Sequence, residues 1–502
     1  MLTYDLEKRG EKPLYEYLYY CIREDILQGN LKAGEKLPSK REMAVSHDIA
    51  LITVENAYAQ LIIEGYVIAK EKRGYFVNRV ALAASQGASE SPTTPGRQGA
   101  AAASEMPGRQ NTREIPATHS RQGVTTTLPP LTGQGAQEAQ ASPATWIDLS
   151  SSNLRRDAFP FATWTRLMRR IMEDREEAFL RKPESTGVPE LREAIAEYLR
   201  KAKGLSVTPD RIVVGPGTEY LHHLILQLVG PGRIVAVEDP GYKKVGQIYE
   251  AHGLKCLHVP VDENGLIAER LVGSNAKLVH LSPSHHFPTG CVMPIGRRRS
   301  LLAWAQSEGA YLVEDDYDSE FRFDGRPVPT LASLNDEVVI YMNTFTKTLA
   351  PSIRIAFMVL PATLVQRFQE RLSFYSGAVS SFEQYTLAAF LKEGYYERHV
   401  NRMRNYYRQQ RTKILQALSL SPLAERVTLE EHGAGLHFII KVRGIRDDEK
   451  WLARLAREGI RLSPVSAYCY GGQEKYRHKF LIYYGDLDEE GMKRAFEIMA
   501  RT

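Results

Sequence analysis

Val338-Val339-Ile340-Tyr341-Met342-Asn343-Thr344-Phe345-Thr346-Lys347 decides how this chain folds. Its first four residues are β-branched or aromatic and read as a buried strand. Runs of the same kind recur at Ile212-Val213-Val214, Ile234-Val235-Ala236-Val237, Leu278-Val279-His280-Leu281 and Tyr311-Leu312-Val313, with helical patterns between them. That alternation predicts an α/β domain built on a largely parallel sheet. Ligands of such sheets sit at the carboxyl ends of the strands, so the residues that follow each run carry the functional reading.

Lys347 follows one of these runs, between Thr346 and Thr348, with Arg354 seven residues further on. A lone lysine is ordinarily a solvated surface residue; one placed between threonines at a strand end, with an arginine near, is less ordinary. Glu314-Asp315-Asp316-Tyr317 follows the run at 311–313. Gly215-Pro216-Gly217-Thr218-Glu219 follows the run at 212–214 and opens a helix, where free N–H groups suit an anion. Taken alone, that last stretch is an ordinary helix start. Taken together, the groups match what pyridoxal phosphate (PLP) requires. A lysine forms the Schiff base, a carboxylate holds the ring nitrogen protonated, and cations, hydroxyls and amides hold the phosphate. Lys347, Asp315, Arg354, Thr344 and the 217–219 turn supply these from separate strand ends.

Upstream, Leu14, Leu18, Ile22 and Ile26 form an apolar stripe at helical spacing. Ser39, three residues before Glu42, is a capping box that starts a second helix. A third helix is predicted over 51–64, with Val54, Ala57, Leu61 and Ile62 on one side and Gly65 as its stop. Tyr66-Val67-Ile68 and Gly74-Tyr75-Phe76-Val77 read as two strands joined by the charged turn Lys70-Glu71-Lys72-Arg73. Three helices and a two-stranded wing are a plan for entering the DNA major groove, and also fit a small interaction domain. Charge does not choose between them. Residues 1–80 hold 12 Lys and Arg against 12 Asp and Glu, and the whole chain is only +5. A DNA-binding face must therefore come from local placement.

The 502 residues imply more than one domain. The boundaries fall at 12–80, a winged helix-turn-helix; 81–145, a flexible linker; and 146–502, the α/β domain. The middle stretch is rich in Ala, Ser, Thr, Gly, Gln and Pro, and it lacks the apolar surface that offsets ordering entropy. Cys21, Cys256, Cys291 and Cys469 form no CxxC pair. They read as buried thiols in a reducing compartment, with no metal site. The polar start MLTYDLEKRG and the lack of a long apolar run give the expectation of a cytoplasmic protein with no membrane partner.

Residues 12–80 resemble the winged helix of the GntR family through Leu37-Pro38-Ser39-Lys40-Arg41-Glu42, Thr53-Val54, Glu64-Gly65-Tyr66 and Arg73-Gly74-Tyr75-Phe76-Val77. The resemblance implies operator contacts from Ser39, Arg41, Thr53, Asn56, Tyr58, Lys72, Arg73 and Gly74. The family's usual Ser/Thr-Arg before Thr-Val is replaced by Ala50-Leu51. Residues from about 147 to 500 resemble a class I aminotransferase of PLP-dependent transferase fold type I. The motifs are Glu238-Asp239-Pro240-Gly241-Tyr242, Ser282-Pro283-Ser284-His285-His286-Phe287-Pro288-Thr289-Gly290, Glu314-Asp315-Asp316-Tyr317 and Thr344-Phe345-Thr346-Lys347 with Arg354. The combination is similar to the MocR-type (GabR-like) regulators. It implies Lys347 as the Schiff-base lysine and Asp315 as partner of the ring nitrogen, with Tyr317 on the ring hydroxyl. It places Arg354, Thr344, Thr346 and the backbone of Thr218 and Glu219 at the phosphate, Tyr242 against the ring, and two copies in a homodimer.

Two departures bear on activity. Class I aminotransferases carry Asn where this chain has Phe287, and an Arg that grips the substrate carboxylate where this chain has Leu481. Without the guanidinium fork the best carboxylate clamp is gone; Lys244, Arg477 and Lys479 are the replacements in reach of the alignment. The expectation is a DNA-binding regulator that senses an amino compound or PLP and performs a half-reaction at most. The alternative is a PLP-dependent aminotransferase with an accessory N-terminal domain.

Overall fold

A computed structural model describes residues 4–9, 13–70, 73–78, 146–151, 158–323, 328–471, 474–485 and 487–502. Lys72 and the 81–145 stretch read as a linker lie outside the described residues.

The N-terminal segment folds as three helices and a hairpin: α1 (Leu14–Leu27), α2 (Lys40–Ser46), α3 (Leu51–Ile63), β1 (Val67–Lys70) and β2 (Gly74–Val77). Leu18, Ile22 and Ile26 of α1 are wholly buried against Val54, Ala57 and Leu61 of α3. The capping box at α2 forms in full. Glu42 N–H donates to Ser39 Oγ at 3.2 Å, and Ser39 N–H donates to Glu42 Oε2 at 2.7 Å. Replacing Ser39 by Ala is expected to cost about 1 kcal/mol of stability, read as a lower denaturant midpoint at unchanged slope.

The large domain is organised by an eight-stranded sheet. Its strands are β3 (Ile212–Gly215), β4 (Ile234–Asp239), β5 (Lys255–Asp262), β6 (Gly265–Leu266), β7 (Ala276–Leu281), β8 (Tyr311–Asp315), β9 (Val339–Thr344) and β10 (Ala356–Val359). They lie in the order β3-β10-β9-β8-β7-β4-β5-β6. β9, β8, β7, β4 and β5 run parallel, whereas β10 is antiparallel to both β9 and β3. The sheet is buried on both faces, as parallel strands under crossover helices must be. A second core surrounds a four-stranded sheet in the order β11 (Val427–Glu430), β12 (His437–Val442), β14 (Lys479–Tyr483), β13 (Ser463–Pro464).

The helix α5 (Ile295–Glu308) joins the two parts of the chain. Ile295 is wholly buried in the winged-helix core, and its N–H donates to the Glu64 carbonyl at 2.9 Å. Gly65, at φ +78°, makes the close approach: a Cβ there would lie 2.8 Å from the Cβ of Pro294. The Glu64 carboxylate is buried at this seam and accepts the Tyr19 hydroxyl at 2.6 Å.

Among the described residues no helix is long and apolar enough to cross a membrane. Cys291 and Cys469 are buried as expected of core thiols; Cys21 and Cys256 are only half-buried.

Candidate functional site

The carboxyl ends of the parallel strands open on one cavity of about 330 Å³. β3 leads into α4 (Thr218–Val229), whose first residues Thr218 and Glu219 line it. β4 delivers Tyr242, β7 His280 and Ser282, β8 Asp315 and Tyr317, and β9 Thr344, Thr346 and Lys347. Arg354 closes the ring from the turn before β10. All nine residues read from the sequence as facing a cofactor line this one cavity.

Asp315 is the most telling of them. Its Oδ1 is buried and has no hydrogen-bond partner among the described residues. Its Oδ2 faces His280 Nε2 at 3.5 Å, and His280 Nδ1 pairs with the Tyr249 hydroxyl at 2.9 Å. When that hydroxyl donates to Nδ1, the ring's proton sits on Nε2 and points to Asp315, fixing the carboxylate and leaving Oδ1 free for a donor in the cavity. His280 was visible in the sequence as a polar residue inside an apolar strand run.

At one end the cavity is cationic. Gly217 precedes α4 at φ +101°, and a Cβ there would come within 2.6 Å of Arg354 Nη2, so the guanidinium can lie over the helix start only because the residue is glycine. Arg354 Nη2 donates to Glu219 Oε2 at 2.6 Å, and Lys244 Nζ donates to Glu219 Oε1 at 2.5 Å. Thr346 N–H donates to Thr344 Oγ1 at 3.1 Å, and Thr346 Oγ1 donates to the Ile353 carbonyl at 3.2 Å, which pins the loop that bears Lys347.

The other end is aromatic. The Phe287 ring lies edge-on to Tyr242, Tyr468 and His437, with centroids 6.0, 4.7 and 5.5 Å away. Burial lowers His437 to about 3, so the ring is neutral, and its Nε2 pairs with the Pro288 carbonyl at 2.9 Å. The Tyr317 hydroxyl reaches His285 Nδ1 at 3.2 Å. Leu481 is packed in the core with Ile439, Val465 and Cys469, while Tyr483, two residues along the same strand face, reaches the cavity.

Beneath β8 and β9 lies a charged cluster. Lys203 pairs with Asp316 at 2.9 Å and Glu320 at 3.1 Å, and Tyr341 donates to Asp316 at 2.7 Å. Burial opposes ionisation of Asp316, but Lys203 and Tyr341 outweigh it and hold the carboxyl below its usual range.

In the winged helix, Arg41, Asn56 and Arg73 are exposed, Thr53 and Gly74 are half-buried, and Ser39 caps α2. Tyr58 differs from the expectation of an outward contact. It is wholly buried, and its hydroxyl donates to the Pro38 carbonyl at 2.9 Å, so it holds α3 to the strap before α2.

A winged helix fused to an aminotransferase-like sheet with a lysine at the strand ends defines a chimeric class, a DNA-binding module on a cofactor-enzyme fold. Residues 14–77 match the bacterial regulatory proteins of the gntR family, and residues 144–496 match aminotransferase class I and II. The HTH-type transcriptional regulator YdeL of Bacillus subtilis is 33% identical over 93% of this chain and 92% of its own. The probable rhizopine catabolism regulatory protein MocR of Rhizobium meliloti is 33% identical over 92% and 88%. The kynurenine aminotransferase of Pyrococcus horikoshii, solved in complex with PMP, superposes with a TM-score of 0.62 at 25% identity over 71% of this chain and 90% of that one. The chain belongs to the MocR-type subfamily of GntR transcription regulators, with an aminotransferase class I domain after the winged helix.

Proposed function

We propose that this regulator binds PLP in the 330 Å³ cavity, with Lys347 as its covalent anchor, and couples that site to operator binding by the winged helix. The cofactor rests on the buried Oδ1 of Asp315, without a hydrogen-bond partner among the described residues, in the cavity that Lys347 and Arg354 also line. A buried carboxylate oxygen without a donor is costly, and a protonated ring nitrogen satisfies it. The solved aminotransferase that shares the fold holds PMP, which supports the same group here. Bound there, PLP supplies an aldehyde for an amine and a pyridinium ring that withdraws electrons.

The residues divide the work by position. Lys347 presents its amine, Asp315 holds the ring-nitrogen proton, and Tyr317 donates to the ring hydroxyl. Arg354, Thr344, Thr346 and the first N–H groups of α4 hold the phosphate, as a helix start favours an anion. Tyr242 and Phe287 wall the side on which an amino compound enters. With Leu481 in the core, a substrate carboxylate meets no guanidinium on that strand, so the site is suited to sensing an amine rather than to a full transamination cycle.

Operator contact falls to Arg41, Thr53 and Asn56 from the helices and Arg73 and Gly74 from the wing, with Ser39 at the head of α2; Lys72, outside the described residues, joins them on its sequence position alone. Leu51, which with Ala50 stands where the family carries Ser/Thr-Arg, is exposed at the start of α3 together with Ile52, and the two offer apolar contact to thymine methyls. A homodimer, with two winged helices on a repeated operator, and a cytoplasmic location complete the reading.

The test is a fluorescence-anisotropy titration of the full chain with DNA flanking its own gene. Arg41→Ala is expected to weaken binding on all sequences and to lower the salt slope by about one, as loss of a phosphate contact does. Equal affinity and slope in the variant would exclude Arg41. Addition of an amino donor is expected to give one stoichiometric spectral change that stalls; steady keto-acid release would favour the aminotransferase instead.

A further inference from the structure

We propose that Glu219 is an internal anion seated in the phosphate cradle, where it competes with the cofactor phosphate for Arg354 and makes cofactor binding weak and reversible. The inference rests on the cavity being a PLP site. Its carboxylate takes the groups that an anionic ligand would use: Oε2 accepts Arg354 Nη2 at 2.6 Å and Oε1 accepts Lys244 Nζ at 2.5 Å. It does so from the first turn of α4, beside the glycine that allows Arg354 over the helix start. The contact is accessible, since the side chains of Arg354, Lys244 and Glu219 are 51%, 48% and 34% exposed.

Competition follows from charge. A phosphate ester is close to a dianion at neutral pH, with a second pKa near 6. It gains Arg354 only by displacing a carboxylate, which then remains next to it as a like charge. Lys244 gives that carboxylate somewhere to go, because it can hold Oε1 after Oε2 is released. Partial burial pushes Glu219 up, but hydrogen bonds from Lys244, from its own backbone N–H and from Arg354 outweigh this and bring it down to about 2. The carboxylate therefore stays charged wherever the phosphate is charged, and acidification above pH 4 does not release the cradle. A catalyst that must keep its cofactor gains nothing from such a competitor. A sensor gains a threshold concentration.

The experiment is equilibrium binding of PLP and of pyridoxal, which lacks the phosphate, to the full chain, read by absorbance and by dialysis. Wild type, Glu219→Gln, Lys244→Met and the double variant are compared. Glu219→Gln is expected to tighten PLP about two- to five-fold, the scale of one half-exposed charge contact, and to leave pyridoxal unchanged. Lys244→Met is expected to weaken PLP, with most of that loss absent in the double variant. Melting curves of each variant check that the fold is kept, and inorganic phosphate is expected to compete with PLP more strongly in Glu219→Gln. Unchanged or weaker PLP binding by Glu219→Gln, or equal tightening of pyridoxal, overturns the role of Glu219. A chain that takes up neither ligand in any variant overturns the PLP site itself.

Discussion

Lys347→Ala is expected to abolish covalent retention of PLP by the full chain. Wild type mixed with PLP and treated with borohydride keeps the group through denaturation, and peptide mapping finds it on Lys347. The variant releases all of it and loses the visible absorbance. The expectation follows from placement. Lys347 lines the cavity just after β9, on a loop pinned by Thr344 and Thr346, and Asp315 lines the same cavity. Asp315, Arg354 and the start of α4 are untouched by the substitution, so the variant should still bind PLP weakly and noncovalently. Asp315→Asn retains the lysine but lacks a fixed negative charge for the ring-nitrogen proton, and should shift the spectrum while keeping the label. A label that persists in Lys347→Ala, on another lysine, would remove Lys347 from its assigned role.

Arg298→Ala is expected to cause the largest loss of stability in the chain, about 3–5 kcal/mol, seen as a lower denaturant midpoint. Arg298 lies in α5 and is wholly buried. It donates to the carbonyls of Met293 at 2.9 Å, Pro329 at 2.9 Å and Pro283 at 2.7 Å, and its guanidinium lies 3.6 Å from Glu314. Glu314 in turn accepts the N–H groups of Leu331 at 2.8 Å and Ala332 at 3.0 Å. Removing the guanidinium leaves the buried carbonyls of Met293 and Pro329 without this donor and the Glu314 carboxylate without its cation, while the Pro283 carbonyl keeps only the Met293 N–H. These carbonyls also bind distant parts together. Pro283 follows Ser282 of the cavity wall, Met293 precedes the Pro294-Ile295 seat of the winged helix, and Leu334 packs on the winged-helix core. Arg298 thus ties the cavity wall to the seam with the DNA-binding module. Lysine cannot span three carbonyls in one plane, so Arg298→Lys should recover little.

The same pair sets a pH dependence. Burial raises Glu314 to about 7, against the opposing pull of Arg298 and two backbone N–H groups. The folded chain therefore holds a proton that the unfolded chain releases near 4.5. Glu314's contribution to stability is full below pH 4.5 and is lost as pH rises toward 7. Without Arg298 the carboxyl is pushed higher still, so the deficit of Arg298→Ala should widen from pH 6 to pH 8. A deficit independent of pH would mean that Glu314 does not face Arg298 in solution.

The sheet was legible because buried parallel strands are continuous apolar runs. The five runs read from the sequence begin and end within three residues of β3, β4, β7, β8 and β9. β10 was not read: Ala356–Val359 is short, and its place between β3 and β9 depends on pairing that no local pattern encodes. Most of the residues around the cavity were legible for the same reason as the sheet, since they end a strand or follow one closely; Arg354, on the turn before β10, was legible only by its nearness to Lys347 in sequence. Glu219 was visible as a backbone contributor, but its carboxylate bridge was not, because it joins residues 25 and 135 positions away. The Lys203–Asp316–Glu320 cluster is hidden likewise, because a lysine on a helix reads as solvated until the fold buries it. Tyr58 could have been placed correctly. Positions 54, 57, 58 and 61 share one face of a 3.6-residue period, so the apolar stripe of α3 already included it. Periodicity indicates which side a helix buries, and a family motif does not.

Coupling between cofactor state and operator binding within one chain is read from operator affinity with and without PLP. Anisotropy of labelled DNA flanking the gene is titrated with wild type and with Lys347→Ala at fixed salt. PLP is expected to shift the wild-type dissociation constant and to leave that of Lys347→Ala unmoved. An equal shift in both proteins, or a wild type that binds PLP on Lys347 while its operator affinity stays constant, would contradict it.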